Sequence, residues 1–340
     1  MSAKNKTLEI DTSPHIVSGA SVEVIMRNVV FALVPVCIFS VYVFGLTALI
    51  TLTAATLSCL LTEHVLCRWR GDRSTLGDWS VAITGILYGL TLPPALPVWM
   101  VVLGGVVAVG VGKFLFGGLG HNAFNPALIG RAFLQAAFPV SMTTWYPALG
   151  AERFAVLPPS TFTLPFASPV YDSISGATPL AVIKFDGDIT AATDLLMGLT
   201  SGSTGETSGL LILAGGLYLI ARKMMNWRIP VAIFATVFAL SGVFYLIDPA
   251  AYPGPLFMLF SGGLMLGAVF MATDMVASPM TSFGCVLYGV LIGALVVVIR
   301  LWGGLPEGVM YAILFANAVS PHIDNLIQPR VYGTTERGAS

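Results

Sequence analysis

Ten apolar segments, separated by short polar turns and one long polar stretch, constrain this chain more than anything else in it. They lie near 24–44, 46–66, 79–92, 97–112, 122–139, 207–222, 229–247, 256–272, 282–300 and 306–326. Only 10% of the residues are charged and 56% are hydrophobic, with a mean hydropathy of +0.86. A soluble domain uses about 25% charged residues to cover its surface, so the expected solvent is lipid. The first twenty residues are polar throughout and have no apolar core with a small-residue cleavage site, so no cleavable signal is expected. The net charge of −1 and the lack of a basic patch give no reason to expect a nucleic-acid partner.

Several segments fall short of the ~20 residues needed to cross a bilayer. Segments 79–92 and 256–272 run into the turn-forming stretches TLPPALP and ATDMVASPM. Interrupted helices are tolerated at membrane depth where protein encloses them or where they line a cavity. The stretch from TGILYGLTLPPALP to FGGLGHNAFNPALIG resembles that from SGGLMLGAVFMATDMVASP to YAILFANAVSP, and in each half two ordinary segments precede the short one. The expected fold is therefore an all-α polytopic membrane protein. Its ten transmembrane segments form two inverted five-helix repeats with short broken helices. The expected divisions are a cytoplasmic segment 1–23, a first repeat 24–139, an extracytoplasmic loop 140–206, a second repeat 207–326 and a cytoplasmic tail 327–340.

Orientation follows from the basic residues. With a cytoplasmic N-terminus, twelve Lys and Arg residues lie inside, and only Arg153, Lys184 and Arg300 lie outside. Both termini are then cytoplasmic. The six tryptophans (79, 99, 145, 302, 69 and 227) fall near segment ends, as an interfacial aromatic belt requires.

Few residues offer chemistry. Cys37, Cys59, Cys67 and Cys285 have no ligand spacing and read as buried thiols, and no metal site or catalytic residue is expected in this chain. The histidines (15, 64, 121 and 322) form no pair suited to haem. In GHNAFNPALIGRAF, Asn122 and Asn125 are expected on one helix face, with Pro126 in the first turn. They would either read the edge of a heterocycle or cap the helix. Arg131, within the same segment, needs a partner or a phosphate unless it snorkels to the interface. Asp274 and Glu63–His64 are the other ionisable groups near membrane depth, suited to an ion path or to capping.

The remaining motif is DSISGAT, in the long polar stretch. As residues alone it is an ordinary small-residue turn with a hydroxyl at its end. It matches D-x-x-[ST]-G-A-[ST], through Asp172, Ser175, Gly176, Ala177 and Thr178, a pattern of flavinylated proteins. Together with SPHIVSGASVEVIMRNVVFAL, GHNAFNPALIGRAFL, ATDMVASPMT and YAILFANAVSPHID it makes nearly the whole chain resemble the NqrB/RnfD family of membrane flavoprotein subunits. The short N-terminal segment is more similar to the RnfD branch.

The resemblance implies FMN joined by a phosphodiester to Thr178, with Asp172, Ser175, Gly176 and Ala177 as the recognition turn. It also implies a non-covalent riboflavin, for which Asn122, Asn125 and Arg131 are the candidate contacts. It further implies a place in the bacterial inner membrane among other subunits of an Rnf complex, including a second FMN-carrying subunit on the outer face. Such complexes move electrons between ferredoxin and NAD while exporting Na+ or H+. Asp274 is the candidate for the ion path. The alternatives are an NqrB-like subunit of a sodium-pumping quinone reductase and, from the repeat alone, a solute channel or transporter without redox role.

The charge asymmetry makes a direct prediction. A reporter fused after Arg330 should be active only as a cytoplasmic marker, and one inserted within 185–205 only as an external marker. An external C-terminus would break the ten-segment topology.

Overall fold

The computed structural model describes residues 21–71, 75–165, 167, 177–185, 190–206, 208–249 and 251–328. Every regular element among them is helical. The first half holds α1 (Val22–Phe44), α2 (Leu46–Arg70), α3 (Ser80–Leu90), α4 (Val98–Val109, continued by a π turn over Gly110–Phe114) and α5 (Pro126–Ala137). The short helices α6 (Pro139–Thr143), α7 (Pro179–Phe185) and α8 (Ala192–Met197) follow. The second half holds α9 (Gly209–Ala221), α10 (Arg228–Ile247), α11 (Pro255–Phe260), α12 (Leu264–Leu266, continued by a π turn over Gly267–Met271), α13 (Ser282–Trp302) and α14 (Val309–Leu326). Helix occurs at each of the ten apolar segments. Four helices, α1, α2, α10 and α13, are long and apolar enough to cross a membrane. The stretch expected as a loop over 140–206 instead carries α7, α8 and the end of α6.

Two boundaries differ from expectation for local reasons. The segment over 122–139 becomes helical only at Pro126, because the Asn125 side chain accepts the Ala127 N–H and Pro occupies the first helical position. The segment over 256–272 is split at Ser261–Gly263. There Gly262 takes φ +62°, a left-handed conformation that favours glycine.

Packing repeats between the halves. α2 packs on α4 and α4 on α5; likewise α10 packs on α13 and α13 on α14. Glycines set these distances. A Cβ at Gly85 on α3 would lie 2.7 Å from the Thr56 Cα on α2, and one at Gly289 on α13 would lie 2.6 Å from the Ala232 Cβ on α10. Where lipid gives no hydrophobic drive between helices, such close approach supplies the van der Waals contact. The halves meet where α1 packs on α9 and α5 on α14. Each contact joins helices of equal rank in the two halves.

The breaks leave helix-end carbonyls without intrahelical donors, and in a low-dielectric interior each must find one. At the end of α3, the Gly205 N–H donates to the Leu90 carbonyl (2.6 Å), and the Thr204 hydroxyl donates to that of Gly89 (2.6 Å). Thr51 on α2 donates to the Pro94 carbonyl (2.9 Å). At the split between α11 and α12, Arg300 of α13 donates to the carbonyls of Met258 (2.5 Å) and Ser261 (2.8 Å). The segment 203–206 and Arg300 are therefore held in place by the breaks they serve.

Candidate functional site: two cavities along α5

Two cavities share the helix α5. The smaller, about 110 Å³, is lined by Asn122, Asn125, Lys113, Ser80, Phe270 and Asp274. The larger, about 440 Å³, is lined by Arg131, Gln135, Thr178, Ser203, Gly263 and Glu307 among others. Pockets for cofactor-sized molecules run about 300–1,000 Å³. The larger cavity lies in that range and the smaller does not.

In the smaller cavity the two halves touch through polar groups. The Asn122 side-chain amide donates to the Asp274 Oδ2 (3.1 Å) and to the Phe124 carbonyl (3.2 Å). The Asn125 amide donates to the Met271 carbonyl (3.1 Å) at the end of the second π turn. Asn122 precedes the helix rather than riding on it, so the two asparagines do not share a helix face as their spacing suggested. They converge because the turn before α5 folds back. Each amide donates to at least one protein acceptor, while the Asn122 Oδ1 accepts no hydrogen bond among the described residues. The pair acts here as cap and cross-link. Burial pushes the Asp274 carboxyl above its usual range, opposed by the Val276 N–H and the Asn122 amide that it accepts.

Beside this cavity lies a buried ion pair. Lys113, in the first π turn, donates to Glu63 Oε1 (2.9 Å) and Oε2 (2.7 Å) on α2 and to the Ser80 hydroxyl (2.8 Å) at the start of α3. Thr75 donates to the same carboxylate. Glu63 was legible as an ionisable group near membrane depth. Lys113 looked like an ordinary loop charge, whereas it is buried and paired. His64, next to Glu63 in sequence, is exposed. π turns recur at functional sites because they reorient a side chain that an α-helix would aim elsewhere.

The larger cavity carries Thr178. Asp172, Ser175 and Gly176 lie outside the described residues. Ala177 is exposed and lines the cavity with Thr178. Thr178 is 2% exposed, and its Oγ1 accepts the Ala181 N–H (3.2 Å) in the first turn of α7. The hydroxyl expected at the surface therefore faces an internal space. Arg131 reaches the same cavity from α5 and pairs with Glu307 at the start of α14, which supplies the partner that a charge in this segment required. Nearby, Glu206 Oε1 and Glu307 Oε1 are both shut off from solvent without a hydrogen-bond partner among the described residues. No motif marked Glu206 or Glu307; their partner Arg131 was the one local signal.

The cysteines behave as the spacing suggested. Cys59, Cys67 and Cys285 are buried and Cys37 partly so, all as free thiols. Among the described residues no group of three or more His, Cys, Asp or Glu side chains could hold a metal ion.

The family model described as "NQR2, RnfD, RnfE family" matches residues 9–333. The chain belongs to this family. It is 39% identical to the D subunit of the proton-translocating ferredoxin:NAD(+) oxidoreductase complex of Clostridium ljungdahlii, over 97% of this chain and 98% of that protein. It is 39% identical to the D subunit of the Na(+)-translocating ferredoxin:NAD(+) oxidoreductase complex of Acetobacterium woodii, over 97% and 96% respectively. It is 40% identical to the D subunit of the ion-translocating oxidoreductase complex of Stutzerimonas stutzeri, over 94% of each chain. The family model and these relatives thus cover both halves and the stretch between them.

The Lys113–Glu63 pair yields a stability test. Glu63→Gln leaves a buried ammonium without its counter-charge, which should cost about 3–5 kcal/mol. Combining it with Lys113→Met should restore most of that loss. Thermal unfolding in detergent would read both, and equal stability of Glu63→Gln and wild type would show the pair to be solvated.

Proposed function

We propose that this chain is the flavin-carrying membrane subunit of an ion-translocating electron-transport complex of the Rnf type, with FMN joined through its phosphate to Thr178. The observation that carries the reading is the position of the Thr178 hydroxyl, at the end of the SGAT turn and on the wall of a 440 Å³ cavity that Arg131 also reaches. The residues fit such a group. The volume is in the cofactor range, Thr178 Oγ1 accepts the Ala181 N–H and keeps its own hydrogen unassigned among the described residues, and a guanidinium suits a phosphate oxygen. Trp145 and Tyr311 add aromatic wall to the same space.

When bound, the flavin would supply the capacity to take and pass electrons one at a time. The chain would supply the tether at Thr178 and the charge at Arg131. Relatives whose names make them parts of ferredoxin:NAD(+) oxidoreductase complexes support an assembly of several chains. The proposal accordingly includes partner subunits, among them a second FMN carrier on the outer face. It sets this chain in the cytoplasmic membrane of a bacterium with both termini inside.

The inverted arrangement of ten crossing segments belongs to the same reading. The matching helix pairs in the two halves support it, as do the meeting of α1 with α9 and α5 with α14. A second, non-covalent riboflavin also belongs to it. Asn122 and Asn125, which line the smaller cavity, remain its candidate contacts. Asp274 remains the candidate for the ion path, because it is a carboxylate through which the two halves touch beside the smaller cavity.

Thr178→Val tests the tether. The variant should insert normally but lose its covalent flavin fluorescence and about one FMN mass by intact-protein spectrometry. Thr178→Ser should regain part of both. If Thr178 were only the cap of α7, its loss would cost about 1 kcal/mol and leave the mass unchanged. A Thr178→Val chain still carrying covalent FMN would overturn the assignment.

Asp274→Asn tests the ion role with little change of shape. Ions moved per electron should fall while covalent flavin content stays at the wild-type level. A wild-type ratio would leave Asp274 as the partner of Asn122 and nothing more.

A further inference from the structure

Helix α5 presents one stripe to the larger cavity. Leu128, Arg131 and Gln135 all line it, and steps of three and then four residues keep them on a single helical face. Arg131 has its counter-charge in Glu307. Gln135, one turn further along and half-buried, has no hydrogen-bond partner among the described residues.

Other polar groups of the same wall are already turned to their own chain segments. The Thr91 hydroxyl donates to the Tyr88 carbonyl (2.7 Å), and that of Thr143 to the carbonyls of Pro139 (2.9 Å) and Val140 (3.2 Å). Gln135 is the one carboxamide among the lining residues. It offers a donor and an acceptor side by side, a pair that reads the edge of a heterocycle through two hydrogen bonds. Left with neither bond in an apolar bundle, such a group is costly.

A flavin ring carries a matching edge. Its C2=O, N3–H and C4=O groups alternate acceptor, donor and acceptor, so one carboxamide meets the N3–H and a neighbouring carbonyl together. Trp145 and Tyr311 line the same cavity and offer flat surface for the faces of the ring. With the phosphate at Thr178 and Arg131, the ribityl chain that leads to the ring is long enough to pass one helical turn, about 5.4 Å.

We propose that Gln135 reads the pyrimidine edge of the flavin in the Thr178 cavity. Its Oε1 accepts the ring N3–H, and its Nε2 donates to a neighbouring ring carbonyl. The inference rests on the flavin reading above and adds to it the residue that orients the ring. Reduction places negative charge on this edge, and a hydrogen bond to a charged acceptor is roughly twice as strong as one to a neutral acceptor. The Gln135 N–H therefore favours the reduced flavin.

Infrared spectroscopy, intact-protein mass and redox titration of the purified complex test the contact. Flavin carbonyl bands present in the wild type and missing from Thr178→Val belong to this flavin. Gln135→Met keeps the length of the side chain and removes both hydrogen-bonding groups. The variant should retain covalent FMN by mass, and one of those carbonyl bands should move to higher frequency. The midpoint potential of the same flavin should become more negative, with the reduced-to-oxidised ratio at a fixed potential down about tenfold. Unmoved bands in a variant whose FMN is verified by mass refute the contact and leave the tether standing. Loss of the FMN mass from Gln135→Met also refutes it, since the amide would then serve attachment and not the bound ring. Moved bands with an unchanged potential refute the preference for the reduced state. A wild type without covalent FMN overturns the flavin reading itself and this inference with it. Should Gln135→Met fail to assemble, Gln135→Glu keeps the shape and replaces the amide N–H, and unmoved bands there refute the pairing.

Discussion

A broken helix inside an apolar bundle must find donors for the carbonyls it exposes, and the arrangement of this molecule follows from how those donors are supplied. At the end of α3 they come from Thr204 and Gly205, far along the chain and just before the second half begins. At the split between α11 and α12 they come from the guanidinium of Arg300. At the end of the second π turn the donor is Asn125, the cap of a helix in the first half. Asn125 also lines the smaller cavity, and Ser203, next to Thr204, lines the larger. An unsatisfied carbonyl at such a break would cost several kcal/mol.

The charges follow the same logic on a larger scale. Isolated ions are costly in this interior, and the ion pairs Lys113–Glu63 and Arg131–Glu307 each join elements far apart in sequence. The first ties α2 to the end of α4 within one half. The second ties α5 to the turn before α14, across the halves. Removing one partner is therefore more damaging than removing both.

Much of the fold was legible in the sequence because apolar segments and their interruptions are local signals. TLPPALP and ATDMVASPM marked the breaks, Pro126 marked the start of α5, and SGAT marked Thr178. What was not legible depends on contacts over long separations. Asn122 and Asp274 were each notable alone, but nothing local said that one would donate to the other. Lys113 sat at a segment end like any interfacial lysine, and its burial needed Glu63 and Ser80 to be seen beside it. Glu206 and Glu307 lie in polar turns where a glutamate is ordinary. The burial of Thr178 was missed for a related reason: a turn rich in small residues reads as surface until a helix is known to seat beneath it.

That burial bears on the order in which the protein is made. Thr178 is only 2% exposed and caps the first turn of α7, so in the folded chain it offers another protein's active site little surface. On the reading proposed above, the group joined to Thr178 has to be attached while α7 is still unseated. Attachment then belongs to biogenesis rather than to the working cycle. The cofactor would become part of what α7 closes over, and chains that miss it would mature with an empty chamber that later modification could reach only by partial unfolding.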